Sequence, residues 1–130
     1  MRFMLDTNIC IYIIKKRPPQ VLTRLRTLEA SDIGISSITL SELEYGVEKS
    51  TNRQQNREAL LGFLGPLEIA PYHDFAAHCY GEIRAYLERA GRPVGPMDLL
   101  IAAHARSLSI PLVTNNVSEF KRIPGLSIEN

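Results

Sequence analysis

Acidic and amide side chains recur in this chain where an apolar run ends or the following helix begins. Asp6 closes the first apolar run, Phe-Met-Leu, and Glu42 lies in Ser-Glu-Leu-Glu-Tyr-Gly. Asp98 follows a Pro- and Gly-rich loop, and Asn116 and Glu119 follow the run Pro-Leu-Val-Thr. Carboxylates gathered at one edge of a sheet repel one another unless a cation lies between them. These residue types therefore predict a metal-binding acidic site.

Magnesium suits such a site, because this hard cation takes a few carboxylates and keeps several of its waters. With Asp6, Glu42 and Asp98 as ligands, one Mg²⁺ leaves about one net negative charge and two ions leave about one positive charge. The second state attracts a phosphodiester. Bound ions can activate water for phosphodiester hydrolysis and stabilise the leaving oxygen. The chemistry predicted for this site is metal-assisted cleavage of a phosphodiester.

Several of these residues also have a purely structural interpretation. Asp6 is a good N-cap for the helix that follows, although Thr7 or Asn8 could cap it instead and leave Asp6 for the metal. Asp98 at a helix start favours the helix dipole. Thr114 can hold a ligand or phosphate through its hydroxyl. Asn116 offers a neutral oxygen, and Glu119 can cap, contact a metal-bound water or face solvent.

The position of Glu42 depends on where its helix begins. If Thr39 is the N-cap, Glu42 fits the capping-box spacing and reaches back to the N-cap amide. If the helix begins at Ser36 or Ser37, Glu42 lies more than one turn into the helix and points from its side. The sequence leaves both possibilities open.

Hydrophobic periodicity predicts strands and helices that alternate along the chain. The predicted strands are 3–5, 33–38, 67–70, 111–114 and 126–128, and the predicted helices are 9–15, 20–30, 39–49, 52–64, 75–90, 97–108 and 118–122. Strands separated by helices indicate a parallel sheet covered on its faces, with right-handed crossovers. We therefore expect an α/β fold with a five-stranded parallel sheet. The carboxyl ends of such strands form the crevice in which ligands bind.

Bulk composition sets limits on the function. The 130 residues predict one domain, 1–130, and 15 basic against 14 acidic side chains exclude a generally basic nucleic-acid binder. Cys10 and Cys79 have no CxxC spacing and are expected as free buried thiols in a reducing compartment. The sequence has neither a signal-peptide pattern nor an apolar run long enough to span a bilayer, so we expect a cytoplasmic protein without a membrane partner.

Other catalytic classes fit less well. The three histidines lack zinc-ligand spacing, and the chain has no nucleophile elbow, Gly-rich phosphate loop or CxxC motif. A haloacid-dehalogenase phosphatase needs a second aspartate where this chain has Asn8. A receiver domain needs paired acids before its first-strand aspartate and a lysine after a late strand, and Thr-Asn-Asn at 114–116 does not supply the lysine.

Four motifs in order resemble a known family. They are Phe-Met-Leu-Asp-Thr-Asn, Ile-Ser-Ser-Ile-Thr-Leu-Ser-Glu-Leu-Glu-Tyr-Gly, Gly-Pro-Met-Asp-Leu-Leu-Ile-Ala-Ala-His-Ala and Leu-Val-Thr-Asn-Asn-Val-Ser-Glu-Phe. Over essentially the whole chain this pattern is similar to PIN-domain ribonucleases, and most similar to the VapC toxins of enteric bacteria.

The resemblance implies an endoribonuclease that depends on Mg²⁺ or Mn²⁺, arrests translation and cuts tRNA, as relatives do in the anticodon region of initiator tRNA. It carries catalytic and metal-binding roles onto Asp6, Glu42 and Asp98. The family often has an aspartate where this chain has Asn116, so weaker occupancy of a second metal position is expected here. Glu119 matches the second acidic position of that segment. A PIN domain that binds without cleaving is the alternative that Asn116 favours.

The resemblance also implies partners. VapC toxins are neutralised by a VapB antitoxin, whose tail places a basic or aromatic side chain in the acidic cleft, and an arginine would pair strongly with carboxylates there. They usually form homodimers, for which helices 39–49 and 52–64 are the expected interface. Basic side chains around the cleft are the candidate RNA contacts: Lys15, Lys16, Arg17, Arg84 and Arg92.

Overall fold

The computed structural model describes residues 1–16, 18–29 and 32–130. Five strands and seven helices lie in these ranges, and they confirm the predicted α/β class. In chain order they are β1 (Phe3–Leu5), α1 (Thr7–Lys16), α2 (Pro19–Arg26), β2 (Ile33–Ser36), α3 (Ser37–Glu48), α4 (Arg53–Leu64), β3 (Glu68–Ala70), α5 (Asp74–Ala90), α6 (Pro96–Ser107), β4 (Leu112–Val113), α7 (Val117–Phe120) and β5 (Ile128–Glu129).

All five strands form one parallel sheet in the order β3-β2-β1-β4-β5. Met4 of the central strand lies opposite Gly34 on one side and Leu112 on the other. From β1 the chain first builds the sheet toward β3 and later returns to add β4 on the opposite side of β1. The strand order therefore reverses between β1 and β4. Beyond their carboxyl ends lies the crevice where open α/β sheets bind ligands.

Apolar layers cover both faces of the sheet. Met4 belongs to a cluster with Ile83 and Ile101 from α5 and α6, whereas its neighbour Leu5 belongs to a cluster with residues of α1, α3 and α4 such as Leu43. Successive side chains of a strand point to opposite faces, so β1 alone contributes to both layers. Burying each such side chain contributes about 1.5–3 kcal/mol. The two layers fix the central strand and hence the residues at its carboxyl end.

Element boundaries differ from the predictions by a few residues, and one of these differences matters for function. The predicted strand 33–38 ends at Ser36, and α3 begins at Ser37 instead of Thr39. Ser36 is the N-cap, since its hydroxyl accepts a hydrogen bond from the Ile38 amide over 3.0 Å. Helix α2 ends at Arg26, and Ala30, where it was predicted to end, lies outside the described residues.

Within the described ranges, no helix combines the length and the apolar character needed to cross a membrane.

Candidate metal centre

Asp6 lies at the carboxyl end of β1 and is fully buried. Its Oδ1 accepts a hydrogen bond from the Ile9 amide over 2.7 Å, and its Oδ2 accepts one from Thr114 Oγ1 over 2.5 Å. The bond from Ile9 is the N-cap interaction of α1. Asp6 therefore caps this helix itself, and the suggestion that Thr7 or Asn8 takes this role is wrong. Both of its oxygens are oriented by donors, which fixes the carboxylate at the switch point of the sheet.

Glu42 projects from α3 more than one turn after the Ser36 cap, so the capping-box interpretation is excluded. Its Oε1 accepts a hydrogen bond from the Thr7 hydroxyl over 2.6 Å. Thr7 Oγ1 in turn lies 3.1 Å from Thr39 Oγ1, and both threonines are buried. The pair of threonines directs the half-buried Glu42 carboxylate toward the beginning of α1, beside Asp6.

Asp98 lies in the first turn of α6, whose entry is fixed by the preceding loop. Gly91 ends α5 in the left-handed conformation with φ of 66°, a geometry that favours glycine. Pro96 is the first residue of α6, where its fixed φ suits the helix. Arg122 Nη1 donates a hydrogen bond to the Pro93 carbonyl over 2.9 Å. These restraints hold the half-buried Asp98 at the same edge of the sheet.

Glu119 and Asn116 complete the cleft from α7 and the turn before it. Glu119 Oε1 accepts a hydrogen bond from the Gly95 amide over 3.1 Å, and its Oε2 accepts one from Asn116 Nδ2 over 2.8 Å. The Asn116 amide donates to Thr114 Oγ1 over 2.9 Å. Thr114, Asn116 and Glu119, predicted as supporting residues, therefore form one chain of hydrogen bonds that leads to Asp6.

Burial and the neighbouring carboxylates raise the pKa of Asp98 and of Asp6. Burial, followed by repulsion from Glu119, Asp6 and Glu42, raises the pKa of Asp98 to about 6. Burial also raises the pKa of Asp6, with hydrogen bonds from Thr114 and Ile9 opposing the shift and the charge of Glu42 adding to it. Negative charges that raise the pKa of a neighbouring carboxyl group create a site that a cation stabilises. The four carboxylates of Asp6, Glu42, Asp98 and Glu119 therefore share one electrostatic environment.

The four carboxylates do not form a closed ligand set in the structure. Among residues 1–16, 18–29 and 32–130, no three His, Cys, Asp or Glu side chains lie close enough together to form a closed set of ligands for a metal ion. Mg²⁺ is bound through one or two carboxylates and keeps several waters, so it needs no such closed set. The mutual repulsion and the oxygen-only donors fit a hydrated divalent cation.

His104, on α6, was not predicted to contribute to the site, yet it links two of the helices that form it. Its ring is fully buried, with Nδ1 2.7 Å from Ser36 Oγ. Ser36 Oγ already accepts a bond from the Ile38 amide, so its own proton is available for donation to Nδ1. Burial, followed by the charge of His73, lowers the pKa of His104 to about 4, and the ring is neutral. In the sequence, the signal for this link is Ser36, a residue type that favours the N-cap position, at the end of the second apolar run.

The remaining predicted residues line one of two grooves, are exposed, or lie outside the described part of the chain. Asn8 and Lys15 line a groove of about 790 Å³ between α1, α3 and α4 that also contains Thr7 and Glu42. Lys16 is exposed at the end of α1. Arg84 and Arg92 line a separate groove beside α5. Arg17, the remaining candidate RNA contact, lies outside the described residues.

Residues 3–126 match the family described as PIN domain. The chain belongs to the PIN-domain family. This PIN domain is 51% identical over 134 residues to ribonuclease VapC2 of Rickettsia felis, covering 100% of this chain and 98% of the relative. It is 49% identical over 130 residues to the tRNA(fMet)-specific endonuclease VapC of Salmonella typhimurium, with the same coverage.

Solved structures agree with this assignment. The PIN domain matches a crystal structure of VapBC2 from Rickettsia felis bound to promoter DNA with a TM-score of 0.96 and 48% identity, covering 100% of this chain and 98% of that one. It matches DNA-bound VapBC from Salmonella typhimurium with a TM-score of 0.96 and 48% identity, covering 99% and 97%. The fold and the sequence together place this PIN domain in the VapC family, which confirms the predicted resemblance. PIN-domain nucleases generally use divalent metal ions.

Proposed function

We propose that this chain, as one PIN domain over residues 1–130, is a metal-dependent endoribonuclease toxin that cleaves tRNA in the cytoplasm and thereby inhibits translation. The observation that carries the proposal is the group of mutually repelling carboxylates of Asp6, Glu42, Asp98 and Glu119 at the sheet's switch point. Relatives about half identical to this chain are named ribonuclease and tRNA(fMet)-specific endonuclease. We therefore propose initiator tRNA as the substrate, with cleavage in its anticodon region as the resemblance to VapC toxins implies.

Asp6, Glu42 and Asp98 are the proposed catalytic residues and would hold Mg²⁺, with Mn²⁺ as an alternative. When bound, the cation supplies Lewis-acid stabilisation of the negative charge that develops on the scissile phosphodiester. The residues of the chain supply the positioning. Thr114 orients Asp6, Thr7 orients Glu42, and the Gly95 amide together with Asn116 orients Glu119. Carboxylates held in place before the metal arrives lose little conformational freedom when they bind it.

Asn116 gives support to the same proposal. The binding-module alternative depends on this amide, because it replaces the aspartate that the family often has. In this chain Asn116 Nδ2 donates to Glu119, so the amide positions a carboxylate that remains in the cleft. The three proposed catalytic carboxylates are all retained. A cleaving enzyme is favoured over a non-cleaving PIN domain for this reason.

The proposed protein partner is a VapB-like antitoxin, since the structures similar to this chain are VapBC complexes. The groove of about 790 Å³ between α1, α3 and α4 begins at Thr7 and Glu42 and continues past exposed Tyr45 and Met97. A partner segment with apolar side chains and an arginine at its end would fill the groove and pair with the carboxylates. We also propose a homodimer, with exposed Leu61 of α4 in the predicted interface region.

Expression in a bacterial host tests the toxin proposal. We expect induction of the wild-type chain to arrest growth and co-expression of a VapB-like antitoxin to restore it. Sequencing of tRNA from arrested cells should show new ends in the anticodon region of initiator tRNA. Growth arrest without any new RNA ends would reject the ribonuclease proposal, and new ends confined to other RNAs would reject the tRNA target.

A further inference from the structure

A groove of about 520 Å³ lies between α5 and the loop that joins it to α6. It is separate from the groove proposed for the antitoxin. Its lining includes one aromatic ring, two guanidinium groups, the carboxylate that pairs with one of them, and an apolar wall: Tyr80, Arg84, Arg92, Glu88, Leu87, Val94 and Pro96.

This groove and the acidic cleft share the loop as a common wall. On one side of the loop, the Gly95 amide donates to Glu119, and a Cβ on Gly95 would lie 3.8 Å from Asp98 Oδ2. On the other side, Val94 and Pro96 line the groove. A polymer that lies along the groove and passes over this loop therefore arrives directly at the carboxylates.

The first wall of the groove is preorganised. Arg84 Nη1 donates to the Tyr80 hydroxyl over 2.9 Å, and its Nε donates to Glu88 Oε2 over 3.1 Å. The guanidinium carbon lies 6.0 Å from the centroid of the Tyr80 ring. Neither hydrogen bond uses Arg84 Nη2. A half-buried ring and a fixed guanidinium group thus lie side by side.

The second wall is an exposed cation on a fixed backbone. Arg92 follows the left-handed Gly91, and its amide donates to the Leu87 carbonyl over 2.9 Å. The bond from Arg122 to the Pro93 carbonyl anchors the next residue. Arg92 forms no ion pair with any residue in the described ranges. Its charge is available to a ligand.

We propose that this groove binds an unpaired nucleotide of the RNA substrate, next to the scissile phosphodiester, with the base on Tyr80 and the apolar wall and the phosphates on Arg84 and Arg92. Aromatic rings flanked by cations bind single strands because every base has a face that can stack. A duplex keeps its bases stacked and cannot offer that face. The inference rests on the proposed ribonuclease function and assigns its substrate a single-stranded segment at the site.

Binding of RNA to a cleavage-deficient Asp98→Asn background tests the groove. Fluorescence anisotropy follows a short fluorescein-labelled single-stranded RNA of mixed sequence, at several salt concentrations. Loss of a stacked base weakens affinity by about 5- to 150-fold, and we expect a loss in that range for Tyr80→Ala. Arg92→Gln removes a phosphate contact and should reduce the slope of log affinity against log salt by about 0.7. Tyr80→Phe should keep most of the affinity. Arg89→Gln, an exposed arginine of the same helix outside the groove, should bind like the background.

The possible results distinguish failure of the groove proposal from failure of the proposed ribonuclease function. If RNA binds the background but Tyr80→Ala and Arg92→Gln leave the affinity and the salt slope unchanged, the groove proposal is wrong while the ribonuclease function stands. Equal affinity for a fully duplex RNA of the same sequence would also overturn it. If the background binds no RNA and the wild type cleaves none, the proposed function fails and the groove proposal fails with it. Arg92 is exposed, so its variant tests the groove even if Tyr80→Ala folds poorly.

Discussion

Thr114 Oγ1 donates a hydrogen bond to Asp6 Oδ2 over 2.5 Å and so joins two residues 108 positions apart in the chain. The same oxygen accepts a bond from the Asn116 amide. One hydroxyl thereby connects the end of the central strand to the segment that carries Glu119. The fully buried Asp6 carboxylate depends on this donor and on the Ile9 amide for its hydrogen bonds.

Replacing Thr114 with valine should destabilise the protein and impair the site. Loss of a hydrogen bond to a buried charged group costs about 1.5–3 kcal/mol, and we expect a decrease of that size in the free energy of unfolding near neutral pH. Cleavage activity should fall as Asp6 loses its orientation. Urea denaturation measures the first effect. Thr114→Ser keeps the hydroxyl and should stay close to the wild type, so equal destabilisation by valine and serine would show that the hydrogen bond is unimportant.

The raised pKa of Asp98 makes the stability of the metal-free protein depend on pH. Its pKa is about 6 in the folded state against 3.8 ordinarily, so the folded state binds this proton more tightly. The stabilising contribution is fully present below pH 3.8 and is lost as pH rises through about 6. Above that pH, Asp98→Asn should therefore be more stable than the wild type in EDTA, and the gap should close as the pH falls.

Stability must be compared between the wild type and Asp98→Asn because the titration of His104 changes the free energy of unfolding with pH in the opposite direction. Its pKa is lowered from 6.5 to about 4, so its contribution is present above pH 6.5 and is lost as pH falls through about 4. Urea denaturation of both proteins across this pH range isolates the contribution of Asp98 to the free energy of unfolding. Addition of Mg²⁺ near neutral pH should stabilise the wild type more than the variant, since a ligand that binds only the folded state stabilises it. If the free energy of unfolding depends on pH in the same way in both proteins, Asp98 does not have the raised pKa described above.

Ser36 is expected to be the most sensitive serine near the site. Ser36→Ala removes the cap of α3, which costs about 1 kcal/mol, and leaves His104 Nδ1 without its partner, which costs about 1–3 kcal/mol more. His104 Nε2 already lacks a hydrogen-bond partner in the described part of the chain, so the variant leaves both ring nitrogens unpaired. Thermal or urea denaturation measures the loss. Ser41→Ala, an exposed site on the same helix, should change stability by less than about 0.5 kcal/mol, and a comparable loss there would contradict the role of Ser36.

The sequence was sufficient to predict the parallel sheet and to select carboxylates that lie near one another in the structure, because apolar periodicity and acidic residues after apolar runs are local signals. It could not settle the detailed roles. Whether Asp6 or a neighbour capped α1 depended on which side chain faces the Ile9 amide. The beginning of α3, and with it the direction of Glu42, depended on Ser36 and on its contact with His104, 68 positions away.

The role of Asn116 also depended on a partner that the sequence does not identify. Asparagine in place of aspartate suggested only a missing charge. In the structure its amide nitrogen donates to Glu119, and this carboxylate also receives the Gly95 amide from a different loop. Which of these contacts form is decided by the tertiary packing of α6 and α7.

Asn116→Asp should therefore destabilise the metal-free protein at neutral pH. It replaces a donor 2.8 Å from Glu119 Oε2 with a second carboxylate, and like charges at that separation repel. The destabilisation should shrink at acidic pH, where one of the two carboxyl groups is protonated, and on addition of Mg²⁺. Thermal unfolding in EDTA and in Mg²⁺ checks this. Asn115→Asp adds the same charge at the exposed neighbouring position and should have little effect, and a similar loss in both variants would point to general charge repulsion.

Cleavage of a total tRNA pool by the purified, antitoxin-free protein tests the central claim most directly. We predict discrete fragments with Mg²⁺ or Mn²⁺ from the wild type and from Glu58→Gln, an exposed carboxylate of α4 that does not line the groove containing Glu42. EDTA or Asp98→Asn should abolish them, while circular dichroism shows that the variant is folded. Fragments that persist with Asp98→Asn, or no cleavage by folded wild-type protein with either metal, would contradict a metal-dependent ribonuclease site at these carboxylates.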